Sequence, residues 1–209
     1  MIKCPFGLEH TELRTDGKSA ILKDMDHQKI SFWGSMIFLG LASAVHAADD
    51  SRIPVARAAA DAAVKRLKVT LMEKMEHGGL SAAIPFCHSS ALPITVAETS
   101  GQVTSVKRAT LKPRNPKNRA DATEEKLLKD WQGLLVRKQE LPKEFAREEK
   151  GSLHYYRPIR LEALCLSCHG VEKQISPEAL QTIRQQYPAD QAVGYSAGDL
   201  RGLIHVVVK

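Results

Sequence analysis

The five residues Cys165-Leu166-Ser167-Cys168-His169 constrain this chain more than any other stretch. They place two thiols and an imidazole within little more than one turn of backbone. Three chemistries use such a spacing. A zinc half-site needs a second Cys or His pair, and no second Cys-x-x-Cys or His-x-x-x-His occurs. A dithiol redox pair has no need of the trailing histidine. Covalent attachment of haem uses all three groups: two thiols add to the porphyrin vinyls, and the next residue brings an imidazole under the iron. The segment therefore points to one covalently bound haem c, held through Cys165 and Cys168 with His169 as proximal iron ligand.

That chemistry belongs to an oxidising compartment, and the N-terminal region agrees. A basic residue, Lys29, precedes an apolar run from Ile30 to Val45, and Val45-His46-Ala47 supplies a cleavage-like end. The run is shorter than the roughly 18 to 20 apolar residues that a membrane span requires. We expect a signal peptide over 25–47, export to the periplasm, and contact with the membrane only through that peptide. Residues 1–24 are polar and of mixed charge, unlike an n-region, and read as an upstream extension before a start at Met25. Residues 48–209 then form a single c-type haem domain, long enough for one core. Cys4 departs with the leader, so Cys87 is left as the odd thiol.

The 209-residue chain has a formal charge of +6, but its Lys and Arg residues are scattered, without a dense block interleaved with aromatics. This excludes a nucleic-acid partner in favour of an acidic redox partner or an anionic cofactor.

Along the exported part, 49–77 has an alanine-rich helical pattern, with Val55, Ala59, Ala62/Ala63, Leu67, Leu71 and Met75 on one face. Gly78-Gly79 stops it. A second helix over 80–97 is expected in broken form, interrupted by Pro93. Alternation over 103–111 predicts a strand, and 112–120, rich in Pro and Asn, a loop. A helix follows over 121–138, capped by Asp121 or Thr123, with Leu127, Leu128, Trp131, Leu134 and Leu135 as its apolar face. Another strand is expected at 153–161. Ser176-Pro177 opens a further helix ending near Tyr187. Residues 199–202 read as a hairpin into a closing β-branched strand, 202–209. The pattern predicts an α+β domain: a small antiparallel sheet flanked by helices, with a long N-terminal helix.

On residue chemistry alone, the sixth iron position is open to Cys87, His88, His77, His154, Met72, Met75 or water. Arg108, Lys112 and Arg114 are candidates to clamp the haem propionates. Phe86, Trp131, Tyr155 and Tyr156 can line the haem or serve as ordinary core. No distal His/Arg pair is assignable, so an electron carrier or a sensor is favoured over an enzyme.

Several ordered landmarks carry a resemblance. They are Cys87 followed by Pro93, the run Arg108-Ala-Thr-Leu-Lys-Pro-Arg-Asn-Pro-Lys-Asn118, Tyr156-Arg-Pro-Ile159, the attachment segment with Gly170, and Gly194-Tyr195-Ser-Ala-Gly-Asp199-Leu-Arg-Gly202. Together they resemble a family of bacterial c-type haem proteins with a PAS-like fold, which occurs as a small cyanobacterial cytochrome and as haem domains of sensor kinases. The resemblance implies Cys87 and His169 as the axial pair. His88, where this chain departs from the pattern, is the alternative. It also implies electron transfer or redox sensing with a redox partner or a membrane signalling protein. The alternative function is a gas- or ligand-responsive haem module working with a separate partner.

Overall fold

The computed structural model describes residues 50–209. The expected signal peptide over 25–47, the upstream extension and Cys4 lie outside the described residues.

The first element, α1 (Arg52–Val96), is a helix folded back on itself at Gly78-Gly79. Arg66 pairs with Glu98 at 2.9 Å; a straight helix would hold them roughly 48 Å apart. The two glycines make the reversal possible. Gly79 has φ 62° and ψ −158°, a conformation open essentially to glycine alone. A Cβ on Gly78 would stand 2.6 Å from that of Ala82. The second arm, 80–96, continues unbroken through Pro85 and Pro93, contrary to the expected interruption. Ala97 N–H donates to the Pro93 carbonyl at 2.9 Å and closes the last turn.

Strand β1 (Val103–Ala109) leads through a loop to α2 (Ala122–Val136). Asp121 caps α2 and forms a reciprocal capping box with Glu124, which decides between the two expected caps. Strands β2 (Phe145–Glu149) and β3 (Ser152–Arg160) form a hairpin. Beyond it lie α3 (Leu166–His169), α4 (Pro177–Gln186) and β4 (Leu200–Val208). The antiparallel sheet has the order β1-β4-β3-β2. The domain is thus α+β, with a long N-terminal helix and a small sheet between helices.

Strand β2 is absent from the sequence reading because Phe-Ala-Arg-Glu-Glu lacks alternation. The turn after it carried the signal. Lys150 and Gly151 both have positive φ, the geometry of a two-residue hairpin turn. Residues 199–202 likewise differ from expectation. Ala197 and Gly198 make a turn, closed by Asp199 N–H on the Ser196 carbonyl, and Leu200 is already paired with Arg160 across the sheet.

β4 is central and buried on both faces, which is why its sequence runs Leu-Ile-His-Val-Val-Val without alternation. On one face, Val106, Leu153, Tyr155, Ile204 and Val206 pack against Ile53, Ala56, Ala60 and Ala63 of α1. The buried row on α1 is the alanine row, offset from the predicted one, because small side chains let the helix lie close to the sheet. Beyond Ala63 the helix outruns the sheet, so Leu67, Leu71 and Met75 are only half-buried. On the other face, Tyr156, Leu200 and Leu203 meet Leu128 and Trp131 of α2. A third cluster joins Ile84 of the second arm to Ile175, Ala179, Ile183 and Tyr187 around α4. It sets the second arm against the segment that follows β3.

Candidate functional site

Strand β3 runs directly into the Cys-x-x-Cys-His segment. Cys165 ends a single 3-10 turn (Ala163–Cys165), and Cys168 and His169 lie on the one turn of α3. The turn closes with Gly170 N–H donating to the Leu166 carbonyl at 2.9 Å. A Cβ at position 170 would come within 2.7 Å of that carbonyl oxygen, so glycine after the histidine is a steric requirement.

The two thiols face different packing groups. Cys168 rests on the Ile84 and Ile183 cluster, and Cys165 on Leu161, Ala192 and Tyr195. Neither is in a disulfide. Burial pushes the Cys168 thiol above its ordinary value.

The 190–195 loop fixes the imidazole. His169 Nδ1 lies 2.7 Å from the Ala192 carbonyl oxygen and donates its proton there. Nε2 is left as a lone pair, the form in which imidazole binds a metal. Burial first, then the charges of Arg114 and Arg201, hold His169 well below the usual histidine range, so it is neutral at physiological pH. Tyr195 N–H donates to the His169 carbonyl at 3.0 Å, and Gly194 N–H to the Gly170 carbonyl at 2.8 Å.

Arg114 ties this loop to the Cys-x-x-Cys-His turn. Its Nη2 donates to the Cys168 carbonyl at 2.6 Å and to Asp190 Oδ2 at 3.0 Å. Asp190 in turn accepts from Ala192 N–H at 2.8 Å. Lys112 Nζ donates to the Val193 carbonyl at 2.7 Å and sits 4.6 Å from the Tyr195 ring centre. Two of the three expected propionate clamps are therefore engaged with the protein itself.

Arg108 differs. Its Nε is shielded from solvent with no hydrogen-bond partner. It stands opposite Ile204 on β1, and burial pulls the pKa of its guanidinium down while the Cys87 and Tyr187 side chains oppose that shift. A shielded N–H without an acceptor is costly. Arg201, to which the sequence reading gave no role, is similar. It donates to Thr110 Oγ1 at 2.8 Å and to the Lys112 carbonyl at 3.1 Å, both neutral, and stacks 5.6 Å from the Tyr195 ring. Only its place in the Gly194–Gly202 run marked it.

Cys87 lies on the second arm of α1, half-buried. Burial raises its thiol, the charges of Arg108 and Arg114 pull it down, and Cys168 is near enough to oppose them. The structure thus brings Cys87 together with Arg108, Arg114 and Cys168. His88 is exposed and meets the edge of Tyr187 at 4.9 Å between ring centres. His77 and Met72 are exposed and Met75 is half-buried. His154 is on the α2 side of the sheet, bonded to His205. Trp131, Tyr155 and Tyr156 are core side chains; the Tyr155 hydroxyl donates to Glu144 at 2.8 Å. Phe86 is half-buried beside Cys87 in the chain.

Fold and site together define an α+β domain whose candidate site is a Cys-x-x-Cys-His turn held beneath a basic loop. Over residues 42–209 the chain matches the Tll0287-like family and belongs to it. Among solved structures it is similar to the cyanobacterial haem protein Tll0287, with a TM-score of 0.54 and 24% identity, covering 77% of this chain and 96% of that one. No curated protein matches it.

Proposed function

We propose that this protein is an exported mono-haem c-type cytochrome of the periplasm that acts in electron transfer or redox sensing. The observation that carries the reading is the locked imidazole: His169 gives its Nδ1 proton to Ala192 and keeps Nε2 free, one residue from Cys168. Cys165 and Cys168 hold the porphyrin through thioethers, and His169 takes the iron. Bound haem supplies a one-electron couple whose potential follows its axial ligands and surroundings.

The residues present fit that group. Haem brings carboxylates, and Arg108 is a half-buried cation whose shielded Nε has no hydrogen-bond partner among the described residues. Cys87, placed beside Arg108 and Arg114, is the sixth ligand in this reading; His88 is exposed to solvent. Burial favours the neutral thiol, whereas ferric iron and the two guanidiniums favour the thiolate. A thiol balanced in this way would hold iron in a manner that depends on the charge of the metal, which supports redox sensing beside simple carriage. The partner is a redox or membrane signalling protein. The fold's likeness to a haem protein supports the cofactor, and the apolar run before Ala47 supports export.

A pyridine haemochrome spectrum of protein made in a strain that matures c-type cytochromes tests the reading. A haem c spectrum at one haem per chain is expected. Its absence in such a strain overturns the proposal.

A further inference from the structure

The face of the sheet beneath α2 carries a polar row that the proposed haem site does not use. Lys107 on β1 stands opposite His205 on β4, and His205 opposite Tyr156 on β3. His154, two residues before Tyr156, is the diagonal neighbour of His205 on the same face. Asp121 and Glu124 of the α2 capping box lie over this row.

Glu124 has 0% exposure, yet its carboxylate is fully satisfied. Oε1 accepts from Lys107 Nζ at 2.8 Å and from His205 Nδ1 at 2.8 Å, and Oε2 accepts from the Asp121 backbone N–H at 2.9 Å. Lys107 also reaches Asp121 at 3.0 Å, so the ammonium supplies the cation that these carboxylates need.

The geometry assigns every ring proton. A carboxylate only accepts, so His205 Nδ1 carries hydrogen. In the neutral ring Nε2 is then a lone pair. His154 Nδ1 lies 3.0 Å from it and must donate. His154 Nε2 is left as an acceptor on a half-buried side chain at the rim of the sheet.

An added proton enters at His154 Nε2 without breaking any of these bonds. It is equally well held on His205, whose Nε2–H would then donate to His154 Nδ1. A second proton has no place. Two imidazolium rings would set N–H against N–H across 3.0 Å. The pair therefore titrates as one unit.

We propose that His154, His205 and Glu124 form a one-proton relay, open to solvent at His154 and ending on a buried carboxylate, so that the folded pair holds one proton where two separate histidines would hold two. The charges facing it are Lys107 from β1, Asp121 and Glu124 from the start of α2, and Arg147 and Glu149 from β2. Tyr156 of β3 stacks on His205 at 4.3 Å between ring centres. Burial raises its phenol, so it stays neutral in this range. Burial, followed by the neighbouring His205, places His154 below the ordinary histidine value.

The test is proton uptake by the purified protein between about pH 8 and pH 5, the range in which histidine titrates. His154→Gln and His205→Gln are each expected to take up as many protons as the wild type, because one imidazole of the pair suffices. The double variant takes up one fewer. If either folded single variant loses a whole proton, the two rings are independent and the relay is overturned. Ring-nitrogen NMR on the wild type keeps the proposal testable should the variants not fold. Above the transition both rings are expected as Nδ1–H forms; His205 found as Nε2–H contradicts the relay.

Discussion

His169 Nδ1 and the carbonyl oxygen of Ala192 lie 2.7 Å apart, across 23 residues of sequence. That contact turns a flexible side chain into a fixed one, with its second nitrogen aimed away from the loop. It depends on Asp190, which holds Ala192 N–H, and on Arg114, which holds both Asp190 and the Cys168 carbonyl. The basic run after β1 therefore builds the site from beneath.

Cys87 and His88 are adjacent in sequence but differently exposed, and their variants should separate. Cys87→Ala is expected to shift the ferric Soret band and raise the reduction potential, since a thiolate donor is lost. His88→Ala should leave both unchanged. Absorption spectra with a potentiometric titration check the pair, and the reverse result would make His88 the ligand.

Arg108 should change sign with the cofactor. In haem-free chain, Arg108→Met removes a half-buried cation whose shielded Nε is unpaired and is expected to stabilise by about 1 kcal/mol. In haem-loaded protein the same change removes a counter-ion and is expected to destabilise by about 1–3 kcal/mol. Urea unfolding of both forms measures the two effects.

Gly79 occupies a backbone region closed to other residues, with φ 62° and ψ −158°. Gly79→Ala is expected to cost about 1–3 kcal/mol. Because the second arm carries Cys87, the loss should appear in the ferric spectrum before global unfolding does. An unchanged urea midpoint would mean that the reversal of α1 is not fixed here.

The relay has a consequence for stability. Unfolded, His154 and His205 each bind a proton in acid; folded, the pair binds one. The unfolded state therefore binds one more, and stability falls as pH drops below about 6.5, by up to about 1.4 kcal/mol per pH unit. The lowered value of His154 gives the same sign. His205→Gln removes the difference and should flatten this slope by one proton. Urea midpoints of wild type and variant at several pH values provide the check, and contributions from His169 cancel in the comparison.

Much of this was legible in the chain. Asp121 with Glu124, Ser176 with Pro177, and Gly78-Gly79 are local signals, and each marks a boundary in the structure. The Cys-x-x-Cys-His turn is likewise local. What escaped is non-local. The edge strand β2 pairs through a turn at Lys150-Gly151 and has no alternation of its own. Pro93 suggested a break, yet packing of Ala91 and Thr95 carries the helix past it. Within the basic run, spacing could not tell Arg114, tied to Asp190, from Arg108, left without a partner. Arg201 lies 93 positions beyond Arg108 in the numbering, and only the return of β4 beside β1 brings it to the same end of the sheet.

The most direct test of the central claim is mass spectrometry of the peptide spanning Cys165 to His169, taken from protein matured for c-type cytochromes. The account predicts that this peptide carries one intact haem on two thioether bonds. Recovery of the peptide with both thiols free and no added macrocycle would contradict it.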